Sequence, residues 1–178
     1  IVETGEAREV HHFALLTGYG AGAINPYVAL DSLAAMVKRK EVPGVSDVDT
    51  AQKYYIKALN KGLLKVMSKM GISTLQSYRG AQIFEAIGLS SELVERYFTD
   101  TTSRIEGIDL EVIAEECRRR HAQALPRRGL TRLSIGGNYH YRAQGERHLW
   151  SPRAVGALQR AVRLEDATSY QEYAELIN

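Results

Sequence analysis

The middle of this chain reads KGLLKVMSKMGISTLQSYRGAQIFEAIGL over residues 61–89. Its apolar residues recur at helical spacing as far as Gly71, where a glycine at positive φ is expected to end the helix. The apolar and β-branched residues 72–75 are enough for a short strand. A second helix should follow and end at Gly88. The stretch therefore predicts a helix, a short strand and another helix in close succession.

Outward from this stretch, capping residues and apolar spacing predict a mainly helical chain with a few short strands. The predicted helices cover residues 8–17, Asn25 and Pro26 to about Lys40, Asp49 or Thr50 to Gly71, Ser77 or Tyr78 to Gly88, residues 92–98 and 110–124, Pro152 to about Arg163, and Ser169 onward. Residues 2–3 are predicted to end a strand, and residues 139–149 to form a hairpin that turns at Gly145.

Composition and charge narrow the classes of protein. The formal net charge is +2, and acidic and basic residues are balanced along the chain, so the basic excess typical of nucleic-acid or membrane binding is absent. No apolar run approaches the ~18 residues that span a bilayer, and no signal peptide is visible. The chain has 1 cysteine, which excludes an internal disulfide and fits a cytoplasmic protein.

Three stretches resemble one family and lie in that family's order. Residues 61–89 closely resemble the large (alpha) subunit of glutamate synthase, where its central domain runs into the FMN-binding (synthase) domain. Residues 2–27, VETGEAREVHHFALLTGYGAGAINPY, and residues 138–152, NYHYRAQGERHLWSP, resemble the same family. The resemblance implies part of an α/β multidomain assembly, divided into residues 1–71 as the C-terminal part of the central domain, 72–124 as the junction into the FMN-binding domain, 125–137 as a linker, and 138–178 as the N-terminal segment of the FMN-binding domain.

The resemblance also implies the activity of the intact family. That family makes L-glutamate from L-glutamine and 2-oxoglutarate, using FMN, a 3Fe–4S cluster held by three cysteines, and an N-terminal cysteine that hydrolyses glutamine. Cys117 is the single cysteine here and lies far from the start, so this chain alone can supply neither the cluster nor that nucleophile. We expect Cys117 to be a buried or half-buried structural thiol.

These features predict a structural, interdomain piece of glutamate synthase that holds no cofactor and is inactive alone. The main alternative is a stand-alone module that docks to other glutamate synthase segments. Such a module would expose apolar surface, because its contacts with absent domains would be lost.

Polar residues crowd the turn after Gly71. The candidates for a cofactor or substrate contact are Ser73, Tyr78, Arg79 and Gln82. A helix N-terminus there would present free N–H groups, and the arginine would add positive charge. Such a site would hold an anion, such as the phosphate of FMN or a carboxylate of 2-oxoglutarate. Capping and interdomain hydrogen bonding are the simpler interpretation, and the sequence identifies no catalytic residue.

Five lysines recur every four residues on the long predicted helix: Lys53, Lys57, Lys61, Lys65 and Lys69. They form a stripe that spirals slowly round the helix, beside an apolar face. A solvated face explains this stripe without any partner. The alternative is a surface for an acidic partner, such as a reductant domain or protein.

Other motifs favour structure over chemistry. The glycines of residues 18–22 look like a phosphate-binding loop, but a helix is predicted before them, where such a loop needs a strand. His11 and His12 are adjacent and point about 100° apart on a helix, which disfavours a shared metal. No Cys–His spacing supports an independent enzyme. A packed hairpin explains one aromatic and basic cluster better than single-stranded nucleic acid does; its members are Tyr139, Tyr141, Arg142, Arg147, His148 and Trp150.

Overall fold

The computed structural model of this chain describes residues 1–125 and 134–178, and it confirms a mainly helical fold with short strands. The elements are, in chain order, β1 (Val2–Glu3), α1 (Val10–Gly18), β2 (Ile24–Asn25), α2 (Tyr27–Lys38), α3 (Val48–Lys69), α4 (Leu75–Tyr78), β3 (Glu85–Leu89), α5 (Ser91–Tyr97), β4 (Thr102–Ile108), α6 (Leu110–Ala124), α7 (Pro152–Leu164) and α8 (Ala167–Ile177). Two parallel pairs of strands are formed, β1 with β2 and β3 with β4. The chain divides into two compact units, Ile1–Glu116 and Cys117–Asn178.

Three helices of the first unit pack around a small apolar core. α3 contacts both α1 and α2. A glycine permits the close contact with α1, because a Cβ on Gly62 would overlap a methyl group of Val10. Leu59 and Met67 of α3 are buried in this core, as is Ala14 of α1. This packing fixes the position of the end of α1, which carries the candidate site.

The elements β3, α5 and β4 form a strand–helix–strand unit. The two strands are parallel, which requires a crossover, and α5 supplies that crossover and contacts both strands. Ile87 of β3 pairs with Ile105 of β4. The two backbones approach closely at Gly88 and Gly107, where a Cβ on Gly107 would overlap the carbonyl group of Gly88.

The second unit is organised by the contact between α7 and α8. Two arginines of α7 bind one carboxylate of α8: Nη2 of Arg160 lies 2.6 Å from Glu172 Oε2, and Nη2 of Arg153 lies 3.2 Å from Oε1. These surface ion pairs are typically worth less than about 1 kcal/mol each. Apolar burial therefore carries the contact, and α7 contributes small side chains that let the helices approach: Ala154, Ala157 and Ala161.

The caps in the structure confirm several predicted helix ends. Side-chain oxygens of Ser90, Asp109 and Ser151 accept backbone N–H bonds at 3.3, 2.9 and 3.2 Å and begin α5, α6 and α7. Pro152 occupies the first turn of α7, as predicted. Gly71 follows Met70, the C-cap residue of α3, and has a φ of +72°, which confirms its predicted conformation.

The strand predicted over residues 72–75 is wrong. Thr74 Oγ1 accepts a hydrogen bond from the backbone N–H of Ser77 at 3.3 Å and starts the one-turn helix α4 at Leu75. The capping hydroxyl therefore outweighs the β-branched character of the segment.

The helix predicted from residue 77 or 78 to Gly88 is also wrong. α4 ends at Tyr78, and Gly80 follows in a turn with a φ of +75°. The N–H of Gly80 donates to the carbonyl oxygen of Gly18 at 2.7 Å, so a bond to a distant residue replaces a helical one. The residues before Gly88 then pair with β4 and form β3.

Four other predicted helix starts are displaced by one to three residues. In each case a neighbouring polar group or a strand pair occupies the position at which the sequence predicted the start. They are α1, which begins at Val10 after Glu9 rather than at Arg8; α2, which begins after Pro26 because Asn25 pairs in β2; α3, capped by Asp47 rather than Asp49 or Thr50; and α8, capped by Asp166 rather than starting at Ser169.

The hairpin predicted over residues 139–149 is wrong as well, because the structure assigns turns and no strand there. The N–H of Gly145 donates to the carbonyl oxygen of Arg142 at 2.9 Å, and that of Glu146 donates to Gly136 at 2.8 Å. The chain therefore turns where the sequence indicates, but it builds a loop instead of a strand ladder. Residues 126–133 of the predicted linker lie outside the described residues.

Candidate functional site

Residues 74–80, here called the junction turn, lie against the end of α1, and Tyr78 is their anchor. The side chain of Tyr78 is 0% exposed, and its hydroxyl donates a hydrogen bond to the backbone carbonyl of Ala14 at 2.9 Å. Burial raises the pKa of the Tyr78 phenol, so the hydroxyl keeps its proton at neutral pH and stays a donor. The junction turn is thereby fixed to the helical core of the first unit.

The two residues after Tyr78 extend the same contact. Nη2 of Arg79 donates to the backbone carbonyl of Gly20 at 3.0 Å. The backbone N–H of Gly80 donates to the carbonyl of Gly18 at 2.7 Å. The Gly18 carbonyl belongs to the last turn of α1 and the Gly20 carbonyl to the turn that follows it, where helical partners run out and a cation is favoured by the helix dipole. Tyr78, Arg79 and Gly80 thus attach the junction turn to the C-terminal half of α1 and to the turn after it.

The glycine-rich residues 18–22 form that helix end, which confirms the interpretation as a turn. The N–H of Ala21 donates to Leu16 at 2.9 Å and that of Gly20 donates to Thr17 at 3.0 Å, the pattern of a Schellman motif. Gly20 has a φ of +107°, a backbone conformation that residues other than glycine rarely adopt. The glycines therefore serve the chain reversal and not a phosphate loop, since a helix precedes them.

Aromatic rings cover the other side of the helix end. The rings of Tyr19 and Phe84 stack with centroids 5.2 Å apart, and Phe98 meets Tyr19 edge-on at 5.6 Å. The Tyr19 hydroxyl lies 2.8 Å from Thr101 Oγ1. A Cβ on Gly18 would overlap the Phe84 ring, so this glycine makes room for the stack. The sequence analysis did not identify Tyr19 or Phe84 as contacts. An aromatic residue between two glycines, as at Tyr19, was the feature of the sequence that could have indicated a packed ring there.

The four candidate ligand residues do not converge on one site. Tyr78 is buried against α1, and Arg79 is exposed but bonds to the turn after α1. Ser73 and Gln82 are exposed as well. Gln82 lines a cavity of about 230 Å³ that also contacts residues 99–102, away from Ser73. The Tyr78 hydroxyl already donates to a backbone carbonyl, and one of the five N–H groups of the Arg79 guanidinium does so as well. We therefore derive no cofactor contact from these four residues.

The lysine stripe lies on the exposed side of α3. All five lysines are exposed, and no ion pair within the described residues involves them. Tyr54 and Leu64 lie among them and are 60% and 63% exposed. The stripe is therefore a basic surface with two large apolar side chains.

The histidines and the cysteine show no sign of metal chemistry. Nδ1 of His12 accepts the backbone N–H groups of Arg8 and Glu9 at 3.2 Å each, which caps the start of α1. Among the described residues, no group of three His, Cys, Asp or Glu side chains is placed to hold a metal ion. Cys117 is exposed and not buried or half-buried as predicted, because α6 buries none of its residues; Nη2 of Arg120 lies 3.3 Å from its sulfur.

Comparison with protein families identifies the family of this chain, which the geometry alone does not. Residues 1–90, which include α1, its glycine turn and the junction turn, match the glutamate synthase central domain. The chain belongs to this family. Among the residues of this chain that the structure describes, no helix is both long enough and apolar enough to cross a membrane.

Curated relatives match nearly the whole chain. The large chain of NADPH glutamate synthase from Bacillus subtilis is 48% identical over 98% of this chain, and NADH glutamate synthase from Schizosaccharomyces pombe is 44% identical over 98%. Ferredoxin-dependent glutamate synthase 1 of Arabidopsis thaliana is 38% identical, again over 98%. The chain spans only 11%, 8% and 11% of the lengths of these three relatives.

Proposed function

We propose that this chain is the structural junction of a glutamate synthase large chain, between the end of its central domain and the start of its FMN-binding domain. The whole enzyme makes L-glutamate from L-glutamine and 2-oxoglutarate by reductive transfer of the amide nitrogen. The carrying observation is that Tyr78, Arg79 and Gly80 all bond to backbone carbonyls of α1 or of the glycine turn that follows it. This attachment lies within residues 1–90, which match the central domain, and it fixes the last residues of that part before the chain continues.

In this proposal the segment positions the two neighbouring domains and supplies no catalytic or cofactor-binding residue. At the junction turn the Tyr78 hydroxyl and one N–H group of Arg79 donate to backbone carbonyls, and Cys117 alone cannot hold a 3Fe–4S cluster. FMN and the iron–sulfur centres would be held by other parts of a cytoplasmic large chain. The isolated segment would be inactive.

The same role serves enzymes with different electron donors. The matching relatives are named as NADPH, NADH and ferredoxin-dependent enzymes, with identities from 38% to 48%. A segment that contacted one donor would be expected to diverge between these classes. We therefore infer that the junction serves the step that all three classes share, the formation of glutamate, and not the contact with the electron donor.

The second candidate function is a stand-alone module that docks to other glutamate synthase segments. The exposed apolar side chains favour it, including Ile87, Ile105, Tyr54 and Leu64. The lysine stripe would then meet an acidic partner, either a reductant domain or a separate protein. Salt would weaken such a contact, because exposed charges farther apart than the Debye length, ~10 Å at 0.1 M, are largely screened.

Arg79→Ala in a full-length large chain that contains this segment tests the first proposal. The lost hydrogen bond to Gly20 is worth about 1 kcal/mol, which shifts the population of the docked junction turn about fivefold. More glutamine should then be hydrolysed for each glutamate formed. The reason is that the site that hydrolyses glutamine and the site that forms glutamate would communicate across the junction. Bound FMN should stay unchanged.

Arg96→Ala is the matched control for this experiment. Arg96 belongs to the same unit and lies over the Tyr97 ring, with 5.3 Å from its guanidinium carbon to the ring centroid. Its removal should leave the coupling of hydrolysis to synthesis intact. If Arg79→Ala instead lowered flavin content in proportion to activity with coupling intact, Arg79 would be a cofactor ligand and the proposed role would be wrong.

A further inference from the structure

We infer that Tyr19 is a positioning residue, which holds the strand–helix–strand unit of β3, α5 and β4 in a fixed orientation on the end of α1. The inference rests on the proposed function and deepens it, because it names a residue through which the coupling of glutamine hydrolysis to glutamate formation would depend on this segment. Tyr19 acts through its neighbours in this inference and touches neither substrate nor cofactor.

The backbone of Tyr19 sets the direction of its ring. Tyr19 is the C-cap residue of α1, and its N–H donates to the carbonyl oxygen of Leu15 at 3.0 Å. Gly20 then turns the chain with its φ of +107°, and Gly18 leaves the space that the ring of Phe84 occupies. The ring of Tyr19 therefore extends from a fixed helix end toward the strand–helix–strand unit.

The side chain of Tyr19 contacts one end of each element of that unit. Phe84, whose ring stacks on that of Tyr19, immediately precedes β3. Phe98, which meets the Tyr19 ring edge-on, is the C-cap residue of α5. Thr101, whose Oγ1 lies 2.8 Å from the Tyr19 hydroxyl, immediately precedes β4. One side chain thus joins the starts of both parallel strands and the end of the helix between them.

The helices of the core make few other contacts with this unit. α3 packs on α1 and α2, and α5 packs on β3 and β4, but among the described elements none of α1, α2 and α3 packs extensively on β3, α5 or β4. The junction turn fixes the point at which the chain leaves α1. One point of attachment still permits rotation about itself. A second attachment, through the Tyr19 side chain on the other side of the helix end, restricts that rotation.

The ring of Tyr19 contributes more to this attachment than its hydroxyl does. Tyr19 is 44% exposed, so water can replace the partner of the hydroxyl. The stack on Phe84 has a centroid distance of 5.2 Å and an interplanar angle of 12°. A ring pair of this kind shifts the population of the attached orientation by about two- to tenfold beyond what its buried area contributes. Loss of the ring should therefore disturb the attachment clearly, and loss of the hydroxyl only slightly.

Tyr19→Leu and Tyr19→Phe in a full-length large chain that contains this segment test the inference. We expect Tyr19→Leu to raise the glutamine hydrolysed per glutamate formed by about two- to tenfold, because the attached orientation is less populated. Tyr19→Phe keeps the ring and should restore this ratio to within about twofold of the parental value. Bound FMN should be unchanged in both variants.

Phe84→Leu tests the same stack from its other side. It should raise the ratio by a factor similar to that of Tyr19→Leu. The double variant should add little to either single effect, because residues in contact are not independent.

Tyr97→Leu is the matched control. Tyr97 belongs to α5 of the same strand–helix–strand unit and is 51% exposed, close to the value for Tyr19. Its ring lies under the guanidinium of Arg96 of its own helix. The same change of side chain should therefore leave the ratio at the parental value.

Three results would overturn the inference. In the first, Tyr19→Leu and Phe84→Leu keep the parental ratio while Arg79→Ala raises it, so that the proposed function stands without Tyr19. In the second, Tyr97→Leu raises the ratio as much as Tyr19→Leu does. In the third, Tyr19→Leu lowers flavin content in proportion to activity with the ratio intact, so that Tyr19 contributes to stability alone. If Arg79→Ala also leaves the ratio unchanged, the proposed function fails and the inference fails with it.

Discussion

Tyr78 decides whether the junction turn stays on α1, because it is the turn's one fully buried side chain. Its hydroxyl bonds to a residue 64 positions away in the sequence, so it joins two segments that local interactions would leave apart. A phenol suits this position because its ring fills apolar space while its hydroxyl satisfies a buried carbonyl.

Tyr78→Phe should lower the free energy of unfolding by about 0.5–1.5 kcal/mol, since the ring remains and the hydrogen bond to Ala14 is lost. For a chain of this size each 1 kcal/mol corresponds to about 2–4 °C in melting temperature. Thermal unfolding followed by circular dichroism measures the change. Tyr55→Phe is the matched control, because the Tyr55 hydroxyl donates to Arg8 at 2.9 Å from a less buried site where water can replace it. Equal effects of the two substitutions would remove the special role of Tyr78.

Two glycines show at this scale what the sequence can predict. The conformation of Gly71 follows from the helix directly before it, where its N–H bonds to Ser68, and local pattern was sufficient. Gly80 has the same sign of φ, but its N–H is bound by Gly18. No local pattern contains that partner, so the sequence placed Gly80 inside a helix.

Three elements with local caps were predicted correctly for the same reason. α5, α6 and α7 each begin at a side chain that bonds to the N–H three residues later. β3 and β4 were not, because strand pairing joins residues such as Ile87 and Ile105 that no local rule connects. The candidate site followed the same division. Its residues were singled out from the sequence, whereas their bonding to α1 emerged only from the fold.

The cap of α8 gives a pH-dependent prediction. The side chain of Ser169, then the backbone N–H groups of Thr168 and Ser169, hold the pKa of the Asp166 carboxyl below its usual range. A lowered folded-state pKa stabilises the fold above the unfolded-state pKa of about 3.9, and this stabilisation is lost as the pH falls through the lower folded value. Helix α8 should therefore stay capped until the pH falls below about 3.9.

NMR titration of the Ser169 amide checks this expectation. Its chemical shift should follow the Asp166 carboxyl with a midpoint below about 3.9. In Asp166→Asn the cap is retained by a neutral side chain, and the titration step should disappear. A midpoint above the usual range for aspartate would contradict the assigned cap geometry.

At the scale of the whole molecule, we expect the segment to have a structural role and to bind no cofactor itself. Titration of the isolated chain with FMN should therefore leave flavin fluorescence unquenched. An intact large chain serves as the positive control. Tight quenching at one flavin per chain would contradict the expectation and would return attention to Ser73, Arg79 and Gln82, the three candidate residues that are exposed.

Replacement of the corresponding segment in the Bacillus subtilis large chain by this chain tests the central claim most directly. The two are 48% identical over 177 residues, so the exchange changes about half of the side chains. If the segment is the structural junction of a glutamate synthase large chain, the chimera should form L-glutamate from L-glutamine and 2-oxoglutarate within about tenfold of the parental rate, a difference of about 1.4 kcal/mol in the barrier. A chimera that folds and binds FMN like the parent but forms no glutamate would contradict the claim.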